Sequence, residues 1–166
     1  MKKGFTMIEV IFVIVILGIL ASVAIPRLAG TREDAEISAA VANLRTLLGD
    51  AASYYVVKGS FTDAKWAEIT SVPLKQNATG DAMNNEVDAT RTAYLKVGDS
   101  AQCIGVNVVN KAGNAPAYIH FTRGSGDLCT KVLDSKPVAA YYTSAVKGTN
   151  GNIANAIAIG SNTKIY

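Results

Sequence analysis

Glu9 is the residue whose type and position most need a chemical explanation. It is the single charge in an otherwise apolar run from Phe5 to Ile25, preceded by Lys2, Lys3 and Gly4 and closed by Pro26. At about 1.5 Å per helical residue that run reaches roughly 32 Å, and a bilayer's hydrocarbon core is about 30 Å thick. A carboxylate near the middle of such a helix costs roughly 2.5–3.5 kcal/mol on insertion scales. Glu9 lies near the end of the span, so it costs less, but it still asks for a partner. No Lys, Arg or His follows before Arg27. The nearby candidates are Lys2, Lys3, or an amine made by cutting the chain. A cut between Gly4 and Phe5 would place the Phe5 amine four residues before Glu9, on the same helix face.

The other groups that could do chemistry are few. His120 is the only histidine and sits between Ile119 and Phe121 in a strand-like pattern, which reads as a surface or hydrogen-bonded structural residue. No serine or cysteine carries a motif that pairs it with this base. The sequence contains no HExxH, P-loop or dinucleotide fingerprint. Asp127, Asp134 and the asparagines between 150 and 155 could face a calcium ion, but they lack the spacing of a calcium loop. No catalytic, cofactor-binding or metal-binding residues are therefore expected, and the chain reads as an enzyme's substrate rather than an enzyme.

Lys2-Lys3-Gly4-Phe5-Thr6-Met7-Ile8-Glu9, the apolar run and Pro26 together resemble the class III signal of type IV pilins and type II secretion pseudopilins. The resemblance covers about the first 30 residues. It implies removal of residues 1–4 by a prepilin peptidase, N-methylation of Phe5, and pairing of Glu9 with the Phe5 amine of a neighbouring subunit during filament assembly. It also implies an inner-membrane assembly platform, minor pilins or pseudopilins as partners, and a bacterial inner-membrane precursor whose C-terminal domain is periplasmic. Two other readings of the N-terminus stay open. An ordinary secretory signal could be cut after Ser22-Val23-Ala24 and release a soluble chain from Ile25. An uncleaved apolar segment could simply be an anchor.

The remaining chain of about 140 residues suffices for one modest domain. Net charge is +3, or +1 without the leader lysines, and charged residues make up only 17% of the chain. Neither a basic tract nor a cluster suited to strong nucleic-acid binding is present. With Lys2 and Lys3 held inside, Cys103 and Cys129 face an oxidising compartment and are expected to form a disulfide. Closing a loop of this size stabilises by roughly 3–4 kcal/mol in the chain-entropy model. Pilin-like disulfides commonly close a loop near the C-terminus, whereas 37 residues follow Cys129 here; the major pseudopilin usually lacks one.

The elements that must position these residues follow from periodicity. Ile37, Val41, Leu44, Leu48, Ala51 and Tyr55 step by fours and threes, and Ala40, Leu47 and Tyr54 widen the face. Arg32, Asn43, Thr46, Asp50 and Ser53 fall opposite. The spacing predicts an amphipathic helix from 27 to 58 that continues the membrane segment 5–26. Together they make a spine of about 80 Å. Pro26 is expected to kink it; with Gly18 it brackets a weakened stretch that could loosen on leaving lipid. Thr31 offers a weak local restart after Gly30, and Gly59 a C-terminal stop.

Asp63 to Ile69 suggests a helical turn, with Trp66 packed over the sheet edge or spine, and Pro73, Asn77 and Gly80–Asn85 suggest loop. Residues 92–166 read as strands, with candidates at Ala93–Val97, Cys103–Val109, Ala117–Thr122, Val138–Val146 and Ile153–Ile159. Turn-rich segments at Asn110–Ala115 and Lys147–Asn152 would connect hairpins. The expected architecture is α+β and pilin-like: a long N-terminal helix packed on a small antiparallel sheet within a C-terminal domain, 59–166.

Overall fold

The computed structural model describes residues 5–75, 90–148 and 151–160. Two compact units divide the chain, Met1–Ala35 and Glu36–Tyr166. Helix α1, Met7–Lys58, is continuous and carries Pro26 inside it. Within the first unit every residue from Phe5 to Leu28 is exposed. No restart occurs at Thr31, whose hydroxyl instead donates to the Leu28 carbonyl at 3.0 Å. A threonine inside a helix commonly turns its hydroxyl back on the preceding turn, so a capping residue type does not by itself break the helix.

In the second unit, α1 presents the face its sequence predicts. Ala40, Leu44, Leu47, Leu48 and Ala51 are buried, and Ile37, Val41, Tyr54 and Tyr55 pack partly buried against the same core. The helix ends at Gly59, which adopts φ +72° and donates its N–H to the Tyr55 carbonyl at 2.7 Å. Glycine takes this left-handed conformation without the Cβ penalty other residues meet. A short helix α2, Trp66–Ile69, follows. The Trp66 ring is buried and its Nε1–H donates to the Arg91 carbonyl at 3.3 Å.

The strands are β1 (Leu74–Lys75), β2 (Ala93–Val97), β3 (Ser100–Val109), β4 (Tyr118–Arg123), β5 (Ala145–Gly148), β6 (Gly151–Ala154) and β7 (Ala156–Ala158). Five of them form an antiparallel sheet in the order β1-β2-β3-β4-β7, while β5 and β6 form a separate ribbon. The β3–β4 hairpin turns at 110–115 as expected, with Ala112 bridged to Ala115. Alternation puts Ala93, Leu95 and Val97 of β2, Val106 and Val108 of β3, and Ile119 and Phe121 of β4 into the core shared with α1. Gly105, on the other face of β3, has the Tyr94 ring and the Thr92 and Thr122 side chains against it. A Cβ there would lie 3.0–3.1 Å from all three.

Two sequence expectations are overturned. Residues 127–143 are helical: α3 is Asp127–Asp134 and α4 is Lys136–Thr143. The strand expected at Val138–Val146 is therefore confined to Ala145–Gly148. Val138, Tyr141 and Tyr142 are all buried, and their spacing of three and four is the helical period that their individual strand preferences obscure. Pro137 fits at the start of α4, where its missing N–H costs no helical bond. The strand expected at Ile153–Ile159 is split by Asn155, whose φ of +53° turns the chain from β6 to β7. Asparagine is among the few non-glycine residues that tolerate this conformation. Asn77, Gly80–Asn85 and Asn150 lie outside the described residues.

Candidate assembly site

Thr6 and Glu9 form a reciprocal cap on the first turn of α1. Both the backbone N–H and the hydroxyl of Thr6 donate to Glu9 Oε2 at 2.7 Å, and the Glu9 N–H approaches Thr6 Oγ1 at 3.4 Å. This is a capping box, in which residues three apart satisfy each other's otherwise unpaired groups. The carboxylate also lies where the helix dipole favours negative charge. Glu9 thus has a partner within its own chain, one that a search for positive charges overlooks. Its signal in the sequence is Thr-x-x-Glu immediately before an apolar run.

Phe5 precedes this cap and is 89% exposed. Gly4, Lys2 and Lys3 lie outside the described residues, so the geometry begins at Phe5. Beyond Glu9 the helix presents apolar side chains on every side, and it includes a stretch long and apolar enough to cross a membrane. Gly18 has no atom within 4 Å of the position a Cβ would take, so nothing in the folded chain requires glycine there. Pro26 has no N–H to give the Ser22 carbonyl four residues earlier; nearby, the Ser22 hydroxyl donates to the Ile19 carbonyl at 2.7 Å.

Cys103 and Cys129 are bonded, with their Cα atoms 5.3 Å apart and both residues fully buried. The bridge joins β3 to α3, so its second end is helical rather than extended. His120 stands in β4, half-buried and in register with Asn107 and Ala156. Asp134 pairs with Arg123 at 3.0 Å, and the Arg123 guanidinium also lies 5.3 Å from the centre of the Tyr142 ring. Among the described residues, no group of three or more His, Cys, Asp or Glu side chains is placed to hold a metal ion.

A long helix packed on a small antiparallel sheet, with a capped acid at the head of an exposed apolar segment, is an α+β architecture consistent with a pilin-like fold. Residues 1–25 match the family model described as the prokaryotic N-terminal methylation motif. The chain is similar to type II secretion system core protein G from several bacteria. It is 50% identical to the Aeromonas hydrophila protein over 46 residues, which is 28% of this chain and 32% of that one. It is 46% identical to the Klebsiella pneumoniae protein over 48 residues, 29% of this chain and 34% of that one. The Escherichia coli (strain K12) protein is 44% identical over 46 residues, again 28% and 32% of the two chains. The chain thus spans about a third of the length of the curated relatives it matches. No solved structure matches it.

Proposed function

We propose that this protein is a structural subunit of a type IV pilus-like filament, assembled through its N-terminal helix. The observation that carries the reading is Glu9, a charged residue heading an exposed apolar segment within a matched N-terminal methylation motif. The precursor is an inner-membrane, single-pass protein whose C-terminal domain, 59–166, is periplasmic. Its prepilin peptidase cuts between Gly4 and Phe5, and the new amine of Phe5 is methylated. Helix α1 then leaves lipid on an assembly platform and packs against the same helix of other subunits, with minor subunits as further partners. Apolar burial supplies the drive at roughly 25 cal/mol per Å². Glu9 sets the register by exchanging its Thr6 cap for the Phe5 amine of a neighbour, because an unpaired charge in an apolar centre is strongly disfavoured. Bending or loosening between Gly18 and Pro26 accompanies the transfer.

The type II secretion relatives favour a second reading of the same class, a pseudopilin. Their likeness covers fewer than 50 residues. The gene neighbourhood separates the two: a secretin and a secretion ATPase indicate the pseudopilin, a retraction ATPase the pilus.

Glu9→Ala is the direct test. The variant should still insert and still lose residues 1–4, while filament yield falls at least tenfold. Yield at the unaltered level would remove the mechanism. Mass spectrometry of native protein adds a check on processing: a methylated Phe5 terminus is expected. A terminus at Ile25, or an intact Met1, would instead indicate a released or tethered periplasmic ligand-binding module.

A further inference from the structure

The exit of the chain from α1 carries a concentration of directional bonds that packing alone does not require. After Gly59 the chain turns through Ser60, Phe61 and Thr62. Asn110, at the end of β3, accepts the Phe61 N–H at 2.6 Å and the Ser60 hydroxyl at 3.3 Å through Oδ1. Its Nδ2 donates to Thr62 Oγ1 at 3.3 Å. The Ser60 and Thr62 hydroxyls lie 2.7 Å apart, and Thr62 N–H donates to Ser60 Oγ at 3.0 Å. One side-chain amide therefore holds three consecutive residues. Phe61 is fully buried and seated against Tyr54 and Tyr55, at ring separations of 6.0 and 5.2 Å.

We propose that Asn110 is the positioning residue that transmits axial load from α1 to the sheet. The proposal rests on the filament reading, since a filament subunit is drawn through its N-terminal helix. The physical argument concerns direction. Apolar burial is non-directional and scales with area, so a helix pulled along its axis exchanges one apolar contact for the next. A hydrogen bond weakens steeply once stretched or misaligned by a few tenths of an ångström. Resistance to axial slip therefore concentrates in polar ties between α1 with its exit and the remainder of the unit. The Asp50 carboxylate, which accepts the Thr70 hydroxyl at 2.6 Å, is one such tie; the Asn110 clasp is the multiple one. It acts on the residues that trail α1, so a pull toward the N-terminus draws Phe61 and its neighbours against Asn110.

Single-molecule force measurements on the full chain in detergent test this, with handles introduced at the exposed positions Arg32 and Lys147. A second geometry, Lys96 and Lys147, bypasses α1. Asn110→Ala is compared with Val138→Ala, which weakens the core from the α4 side. In the first geometry Asn110→Ala should shorten the lifetime under load by about tenfold. In the second it should do no more than Val138→Ala of matched thermal destabilisation. Equal shortening of the two variants in both geometries would overturn the proposal and leave Asn110 an ordinary contributor to stability. Should Asn110→Ala fail to fold, Thr62→Ala removes the Nδ2 acceptor together with the Ser60 hydroxyl contact at an exposed position, leaves both bonds to Asn110 Oδ1, and should show the same geometry dependence in smaller measure. A load-dependent clasp in a protein that forms no filament would separate this inference from the function it rests on.

Discussion

At the residue scale, Thr6 makes the acid in the apolar segment tolerable before any neighbour arrives. Replacing a capping threonine by alanine costs about 0.5–2 kcal/mol of helix stability. Thr6→Ala should therefore fray the first turn of α1, with amide exchange at Glu9 and Val10 accelerating several-fold. Thr6→Ser keeps the hydroxyl and should restore protection. Tyr142 is a separate case, within the second unit. Burial is the larger influence and pushes its phenol upward, while the nearby Arg123 guanidinium pulls the other way and loses. The hydroxyl donates to the Thr122 carbonyl at 3.2 Å. A phenol raised above its unfolded value of about 10 contributes stability that is complete below that pH and is lost as pH rises through the folded value. Wild-type protein should thus lose more stability than Tyr142→Phe between about pH 10 and 12, as read by denaturant titration at each pH. Near neutrality the variant should be the weaker by about 1 kcal/mol, the lost hydrogen bond.

Among the elements, α3 depends most on a single covalent tie. It is eight residues long, well under the 12–15 residues at which isolated helices become even marginal in water. Cys129 anchors it to β3, and Val132 and Leu133 bury its inner face. Cys129→Ser, or reduction of the bridge, should cost roughly 3–4 kcal/mol and lower the denaturation midpoint accordingly. The loss should appear first as exchange in residues 127–143. Retained protection there after reduction would show that packing alone holds the two helices. Strand propensity misleads in this region for a traceable reason. Val138, Tyr141 and Tyr142 individually favour strands, and only their spacing of three and four, too short a run to outweigh that preference, indicates a helix. By contrast, α1 is legible because nine apolar positions between Ile37 and Tyr55 repeat one period and an unbroken apolar run precedes them. The hairpin of β3 and β4 was legible because a glycine-containing turn separates two alternating runs.

For the whole molecule, the division at Ala35 and Glu36 has a consequence for handling and for assembly. Residues 36–166 contain the buried core, including Leu44, Leu47 and Leu48 of α1. Among the described residues, those of the core and those packed on it run from Ile37 onward. A chain beginning at Glu36 should therefore remain soluble without detergent and unfold in one cooperative transition, whereas the full chain should require detergent or lipid. Precipitation of the shortened chain, or a broad non-cooperative transition, would show that the first unit contributes to folding the second. The exposed apolar surface from Phe5 to Leu28 is far longer than the patches ordinary soluble monomers display. Lipid and, in the proposed filament, other copies of the same helix are the surroundings that satisfy it.

Residue types and periods alone determined the helix from end to end, the apolar segment with its acid, the pairing of the two cysteines and the α+β class. Each of these is encoded locally: a helix repeats over short sequence distances, and a pair of exported cysteines has only one intramolecular arrangement. Tertiary structure decided that 127–143 is helical, that Asn155 ends a strand, and that Asn110 grips the exit of α1 from fifty residues away. Those outcomes turn on which distant surfaces are free to be covered and which polar groups meet across the core, and both become defined only when the chain has folded.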